Sequence, residues 1–417
     1  MRILKLTVAV ERQLLRTRQH RDSQAEKVAA RIVADVRRRG DTALFVWTRK
    51  LDDINLATEG IWISRREITA AAARVGKHFL RAVEHAARNV RRVAEKQLPR
   101  PWTLVVEPGV SIHQVVRPIE SIGCYIPGGR HALVSTLLMT VIPAKVAGVR
   151  RIVAVCPHPN DELLATANLL NISEIAQIGG AQAISALAYG TRSIPRVEKI
   201  FGPGNRYVTA AKQLVSSDCA IDLPAGPTEA VVLATHGNPQ WIAADLLAQA
   251  EHAPDAGSFF VTTSKALALK VQQEVLVQLR QLPASNPAHV SIRHAGAILL
   301  APSIEAACTF VNRFAPEHLS LPTDSETLFR KCRAAGTVFL GPWAAQPLGD
   351  YASGSNHVLP TAGWARRRGG LSTADFVKCI SVQSIGRQGF ARLADDVQTL
   401  ARAEGLKAHA NAVEVRR

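Results

Sequence analysis

The sequence predicts an α/β protein whose sheets are mostly parallel and Rossmann-like in topology. Two observations carry this. Short apolar runs alternate with helical segments over residues 121–228, and a second block of the same outline runs from 229 to about 341. Glycine-bearing turns, Ile126-Pro127-Gly128-Gly129, Gly179-Gly180 and Gly202-Pro203-Gly204-Asn205, each follow an apolar run of the first block. The 417 residues are 47% hydrophobic and 20% charged, enough for a sizeable core, which excludes a disordered or collagen-like chain.

Residues 1–100 read mostly helical. In DSQAEKVAARIVADVRRRG, Asp22 or Ser23 is the N-cap candidate and Gly40 the stop. A second, longer helical stretch covers 66–97 and ends at Leu98-Pro99. WTLVVEPGVSIHQVVRP has β-branched runs broken by Pro-Gly and reads as strands and turns. In the first block SIGCYIP is a strand, followed by a helical run through Ala147. RRIVAVCP, EIAQIGG and KIFGPGN are further strands, with DELLATANLL and AQAISALAYG as helices between them. In the second block the strands are EAVVLAT, SFFVTT, GAILLA and TVFLG, with helices at 239–251 and 265–281. From about 372 the pattern is helical and polar to the end.

The net charge is +17, and residues 1–100, with 23 basic and 11 acidic side chains, hold +12 of it. A nucleic-acid partner is the sharp reading of such a stretch. Its arginines (37–39, 65–66, 91–92), however, alternate with Ala, Val and Ile at helical spacing, as solvated helix faces do. Aromatics are only 5%, so there is no stacking platform, and specific nucleic-acid binding is not expected. No apolar run approaches the ~20 residues of a membrane helix. The first twenty residues lack the h-region of a signal peptide, so a cytoplasmic protein is expected. The six cysteines form no CxxC pair and are expected to be reduced thiols.

Several segments can carry chemistry. Glycines at successive strand ends point to a ligand crevice at the carboxyl edge of a sheet. Gln249 and His252 lie three apart on the helix expected over 239–251, on one face, where an amide oxygen and an imidazole can ligate a metal. Glu317-His318, after Pro316, reads as a non-helical loop offering two bases near neutral pH. Residues 349–357 form a polar loop in which Asp350 is a candidate metal ligand and His357 a candidate substrate contact. Glu404 and His409, five apart, do not share a helical face. Spacing alone does not assemble these pieces.

In order along the chain stand YIPGG, IGGAQAISALAYG, FGPGN, DLPAGPTE, QAEH, PEHL, GDYASGSNHVLPT and EGLKAHANAV. With these segments the chain resembles the histidinol dehydrogenase family, densely from about 108 to 414 and more loosely in the helical N-terminus. The resemblance implies an oxidoreductase of histidine biosynthesis that takes L-histidinol through L-histidinal to L-histidine with NAD. It implies one zinc per subunit, held by Gln249, His252, Asp350 and His409. Glu317 and His318 are the implied catalytic bases. Substrate contacts are implied at Thr228, Gln249, His252, His318, Asp350, His357, Glu404 and His409, and NAD contacts at Tyr125, Gln182 and Asn205. It further implies a homodimer whose C-terminal segment reaches the partner's site. The implied plan is two incomplete Rossmann-like domains: 1–124 with 229–371, and an inserted NAD-binding domain over 125–228. Small C-terminal domains follow over 372–398 and 399–417.

Thr228 stands where many members carry serine, and Ala253 follows QAEH where Asp or Gly is usual. Arg130-His131 bring an extra charge towards the expected cofactor phosphates. A paralogous zinc- and NAD-dependent alcohol dehydrogenase, acting on another small polar alcohol such as a hydroxy-sulfonate, would keep the ligands and change the pocket. His357 and Glu404 favour histidinol over that alternative. A basic nucleic-acid-binding protein with a retired active site is disfavoured by the full set of ligands and bases.

Overall fold

Strands without a polar face need cover on both sides, and helices supply it here. The computed structural model describes residues 1–18, 22–128, 132–223, 226–323 and 326–417. Strands Ser121–Tyr125, Arg151–Val155, Ile175–Ala176, Lys199–Phe201 and Ala220–Ile221 form one parallel sheet. Numbered in chain order, they lie 3-2-1-4-5, with the order reversing between Ser121–Tyr125 and Lys199–Phe201. Strands Glu229–Leu233, Gly257–Thr262, Gly296–Leu300, His318–Leu321 and Thr337–Leu340 repeat that order in a second parallel sheet, and Arg2–Lys5 adds to its edge beside Gly296–Leu300.

Each sheet is buried between two apolar layers. One face of the first is covered by helices Arg65–Arg74, Lys77–Gln97 and Val134–Ala147, through Ile68, Val90 and Leu137 among others. Its other face takes helices Ser23–Arg39, Asp41–Asp52 and Gly180–Tyr189, through Ile32, Leu44 and Ile184. The second sheet lies between Ile304–Phe314 on one side and Pro239–Ala250 with Lys265–Leu279 on the other. Residues 222–228 connect the carboxyl end of the first sheet's last strand to the amino end of the second sheet's first strand.

Four sequence expectations are corrected. The N-terminus opens with the strand Arg2–Lys5 rather than a helix. The stretch 66–97 is two helices, broken at Val75-Gly76, where both residues are extended. Residues 372–417 are not all helical: Val377–Ile385 is a strand, antiparallel to Val110–Pro118 in a three-stranded sheet with Trp102–Glu107. Its β-branched residues, Val377, Ile380, Val382 and Ile385, prefer that pleated pairing. Finally, the polar loop at 349–357 begins inside a short helix, Gln346–Tyr351, which has proline in its first turn.

Candidate active site

The amino edge of the second sheet gathers the reactive side chains. Helix Ile304–Phe314 stops at Ala315, a non-glycine residue at φ 49°, and Pro316 prevents its continuation. The chain then enters the strand His318–Leu321, in which His318 pairs with Ala230. PEHL is thus the entry to a central strand, not a free loop, and Glu317 and His318 are both buried. Thr228 immediately precedes the neighbouring strand.

A relay of hydrogen bonds orders the site. The Gln346 amide donates to Gln249 Oε1 at 2.8 Å, and Gln249 Nε2 donates to the Thr228 hydroxyl at 2.9 Å. That hydroxyl donates to Glu317 Oε2 at 2.5 Å, and the main-chain N–H of Glu229 donates to the same oxygen at 3.0 Å. His318 lies between two carboxylates: Nδ1 is 3.8 Å from Glu317 Oε2, and Nε2 is 3.6 Å from Asp350 Oδ1. Both separations exceed a hydrogen bond, and both ring nitrogens are buried without a partner. Asp350 Oδ2 is 3.9 Å from His252 Nε2. The Asp350 carbonyl accepts from His357 Nδ1 at 2.8 Å, and His357 Nε2 is 3.5 Å from the Thr136 hydroxyl.

This environment retunes the titrating groups. Burial pushes the Glu317 carboxyl up, against the opposing pull of His318 and its two donors. Burial disfavours a charged His318, but Glu317 and Asp350 outweigh it and hold the ring above the ordinary imidazole value. Burial also raises Asp350, yet the neighbouring His318 and His252 bring it below the usual carboxylate range. Burial lowers His357, favouring its neutral form.

Thr228, Gln249, His252, Glu317, His318, Asp350 and His357 therefore meet, although they come from distant segments. His252 is not on the helix with Gln249. That helix ends at Ala250, Glu251 caps it, and Pro254 follows. Glu404 and His409 do not join the cluster within one chain. Both are exposed, one at the end of helix Arg387–Ala403 and the other in helix Lys407–Glu414, which packs on it. Among the described residues no hydrogen bond or ion pair links them to the site, and no three His, Cys, Asp or Glu side chains gather as a metal cluster. The available donors, an amide oxygen of Gln249, an imidazole of His252 and a carboxylate of Asp350, fit zinc in kind. Gln249 Oε1 accepts one hydrogen bond and keeps a second lone pair. The His252 side chain is 46% exposed, so the donor set is open to a further ligand.

The carboxyl edge of the first sheet holds the expected NAD contacts. The Tyr125 hydroxyl accepts the Gly180 N–H at 3.1 Å. Gln182 Nε2 donates to Asp52 at 2.9 Å, while Gln182 Oε1 is buried without a partner. Asn205 caps helix Arg206–Val215, accepting from the Tyr207 and Val208 amides at 3.0 and 3.1 Å. The turn glycines also serve the protein's own packing. A Cβ on Gly202, at φ 110°, would lie 2.1 Å from the Tyr125 carbonyl oxygen, and one on Gly179 would lie 2.8 Å from Pro157. The expectations at Gly129, Arg130 and His131 fall outside the described residues. Sequence reading passed over Gln346, Thr136 and Asp52. Each is a lone polar residue in an ordinary context, with no motif to mark it.

The family model for histidinol dehydrogenase matches residues 15–417 of this chain. The histidinol dehydrogenase of Photobacterium profundum is 43% identical over 395 residues, covering 93% of this chain and 88% of that protein. That of Methanothermobacter thermautotrophicus is 45% identical over 388 residues, 91% of each. The crystal structure of histidinol dehydrogenase from Elizabethkingia anophelis superposes with a TM-score of 0.93 at 37% identity, covering 100% of this chain and 98% of that one. Among the described residues no helix is long and apolar enough to cross a membrane.

Proposed function

The chain belongs to the histidinol dehydrogenase family of oxidoreductases, and on that premise we propose that it oxidises L-histidinol to L-histidine in two steps with NAD and one zinc per site. The observation that carries the reading is His318, an imidazole buried with both nitrogens free beside a carboxylate held by two donors. In the first oxidation His318 takes the proton of the substrate hydroxyl while the carbinol carbon gives a hydride to NAD, leaving the aldehyde. Glu317 takes a proton from the water that adds to this aldehyde. The resulting diol gives its remaining carbinol hydrogen as a second hydride, with His318 again accepting a proton. Overall the alcohol loses four electrons to two NAD, water supplies one oxygen, and three protons are released. A buried carboxylate with a raised pKa suits a base working near neutrality, and the Thr228 hydroxyl and Glu229 amide fix its aim.

Gln249, His252 and Asp350, with His409 from a second copy, are the residues we assign to hold zinc. Zinc would orient the substrate and withdraw electron density from its polar groups. His357 and Glu404 are assigned to the substrate, and Tyr125, Gln182 and Asn205 to NAD. The open donor set and the position of His409 away from it support a homodimer with an exchanged tail. So does exposed apolar surface on the three-stranded sheet and the tail: Leu104, Val105, Ile380, Val382 and Leu400. A cytoplasmic location is part of the same proposal.

Glu317→Gln tests the assignment. The variant should form the first NADH from L-histidinol at close to the normal rate and oxidise added L-histidinal slowly. Normal histidinal oxidation by Glu317→Gln would overturn the role given to Glu317.

A further inference from the structure

Behind Glu317 lies a buried ion pair that the mechanism does not use. Arg18, the last residue of helix Val8–Arg18, forks onto Glu229, with Nε 2.6 Å from Oε2 and Nη2 on Oε1. The two side chains are 10% and 5% exposed. The same guanidinium donates through Nη1 to the Phe314 carbonyl, reaches the Ala315 carbonyl at 3.5 Å, and lies 3.6 Å over the Phe314 ring. Ala315 is the left-handed residue two places before Glu317. The main-chain amide of Ala362, another left-handed residue, favours the ionised form of the Glu229 carboxyl. Thr361 beside it accepts the Gly226 N–H at 2.6 Å.

One guanidinium therefore clamps the end of the first helix, the turn into Glu317-His318, and the strand start at Glu229. Glu229 then donates its own N–H to Glu317 Oε2. Any slip of Glu229 moves one of the two donors that hold this oxygen.

We propose that Arg18 is a positioning residue which, through Glu229, aims the Glu317 carboxylate at the water that adds to the aldehyde. This rests on Glu317 acting as that base. Lysine cannot replace the arginine, because one ammonium cannot meet both carboxylate oxygens and the carbonyls at once. The first oxidation does not use Glu317, so the two half-reactions should respond differently.

The experiment compares zinc-loaded full-length protein with Arg18→Lys, Glu229→Gln and Glu317→Gln. Each is given L-histidinol for the first NADH in a single turnover, and separately L-histidinal. Arg18→Lys should oxidise histidinal about tenfold to hundredfold more slowly, with KM little changed and the first NADH within about twofold of normal. Glu229→Gln keeps the shape, loses the charge, and should show a smaller fall in the same direction. If Arg18→Lys does not fold, Glu229→Gln carries the test. Equal slowing of both half-reactions in each variant, in step with the folded fraction, would mean a merely structural pair and overturn the proposal. Unchanged histidinal oxidation in both would also overturn it. A Glu317→Gln enzyme with normal histidinal oxidation would instead remove the base on which the proposal rests.

Discussion

Replacing Thr228 with valine keeps the shape and removes one hydroxyl. That hydroxyl accepts from Gln249 at 2.9 Å and donates to Glu317 at 2.5 Å. A hydrogen bond to a charged group contributes about 1.5–3 kcal/mol, and a stranded buried donor costs about 1–3 kcal/mol. Thr228 is half-buried, so water can recover part of both, and about 2 kcal/mol is the expected net loss for the aligned arrangement. If that loss falls on the aim of Glu317, it amounts to about a 30-fold slower histidinal oxidation. Loss of the donor also removes a contact that favours the ionised carboxyl, so Glu317 should need higher pH to act. The same change frees Gln249 to turn, and zinc retention should weaken by about tenfold or more. Thr228→Ser keeps both bonds and should stay within about threefold of normal on each count. The assay is histidinal oxidation against pH, with zinc content measured on the same samples. Normal rates in Thr228→Val, or an equal fall in Thr228→Ser, would refute the reasoning.

In metal-free protein His318 should stabilise the fold most at low pH. Its folded pKa is raised above the ordinary 6.5, so its contribution is complete below that value and is lost as pH rises through the raised one. The gap in denaturant midpoint between this protein and His318→Gln should therefore shrink with rising pH, and a widening gap would contradict it. On the proposed homodimer with an exchanged tail, His409→Ala and His318→Ala, each inactive alone, should regain about a quarter of normal activity when refolded together, because half the dimers would be mixed and each of those would have one intact site. No recovery would contradict an exchanged tail. Phe376, stacked on Phe201 at 4.1 Å between ring centres and fully buried, should cost about 3–5 kcal/mol of stability as alanine, read by thermal or urea unfolding.

Local signals were strong where one element could be read without its neighbours. Asp22 caps the helix from Ser23, accepting the Ala25 N–H at 2.9 Å, and Gly40 ends it at φ 57°, as the sequence suggests. The parallel strands are short apolar runs because both faces are covered. Periodicity did not reveal the strand Val377–Ile385, whose side chains are largely exposed in one chain and so carry little in–out alternation. Nor could it show that residues 23–97 pack on the first sheet: an amphipathic helix declares which face is buried, not what buries it. The site was harder still. Thr228, Gln249, Glu317 and Asp350 meet only because the strands return to one edge, an arrangement without a sequence interval. Ordered family motifs single them out, whereas Gln346 and Arg18 lie outside those motifs.

The most direct test of the central claim is to count NADH. Zinc-loaded protein is given a limiting amount of L-histidinol with excess NAD, and NADH and the organic product are measured at completion. Two NADH per histidinol, with L-histidine as the product, is the result expected. One NADH with the aldehyde left over, or none at all, would contradict a two-step oxidation at this site.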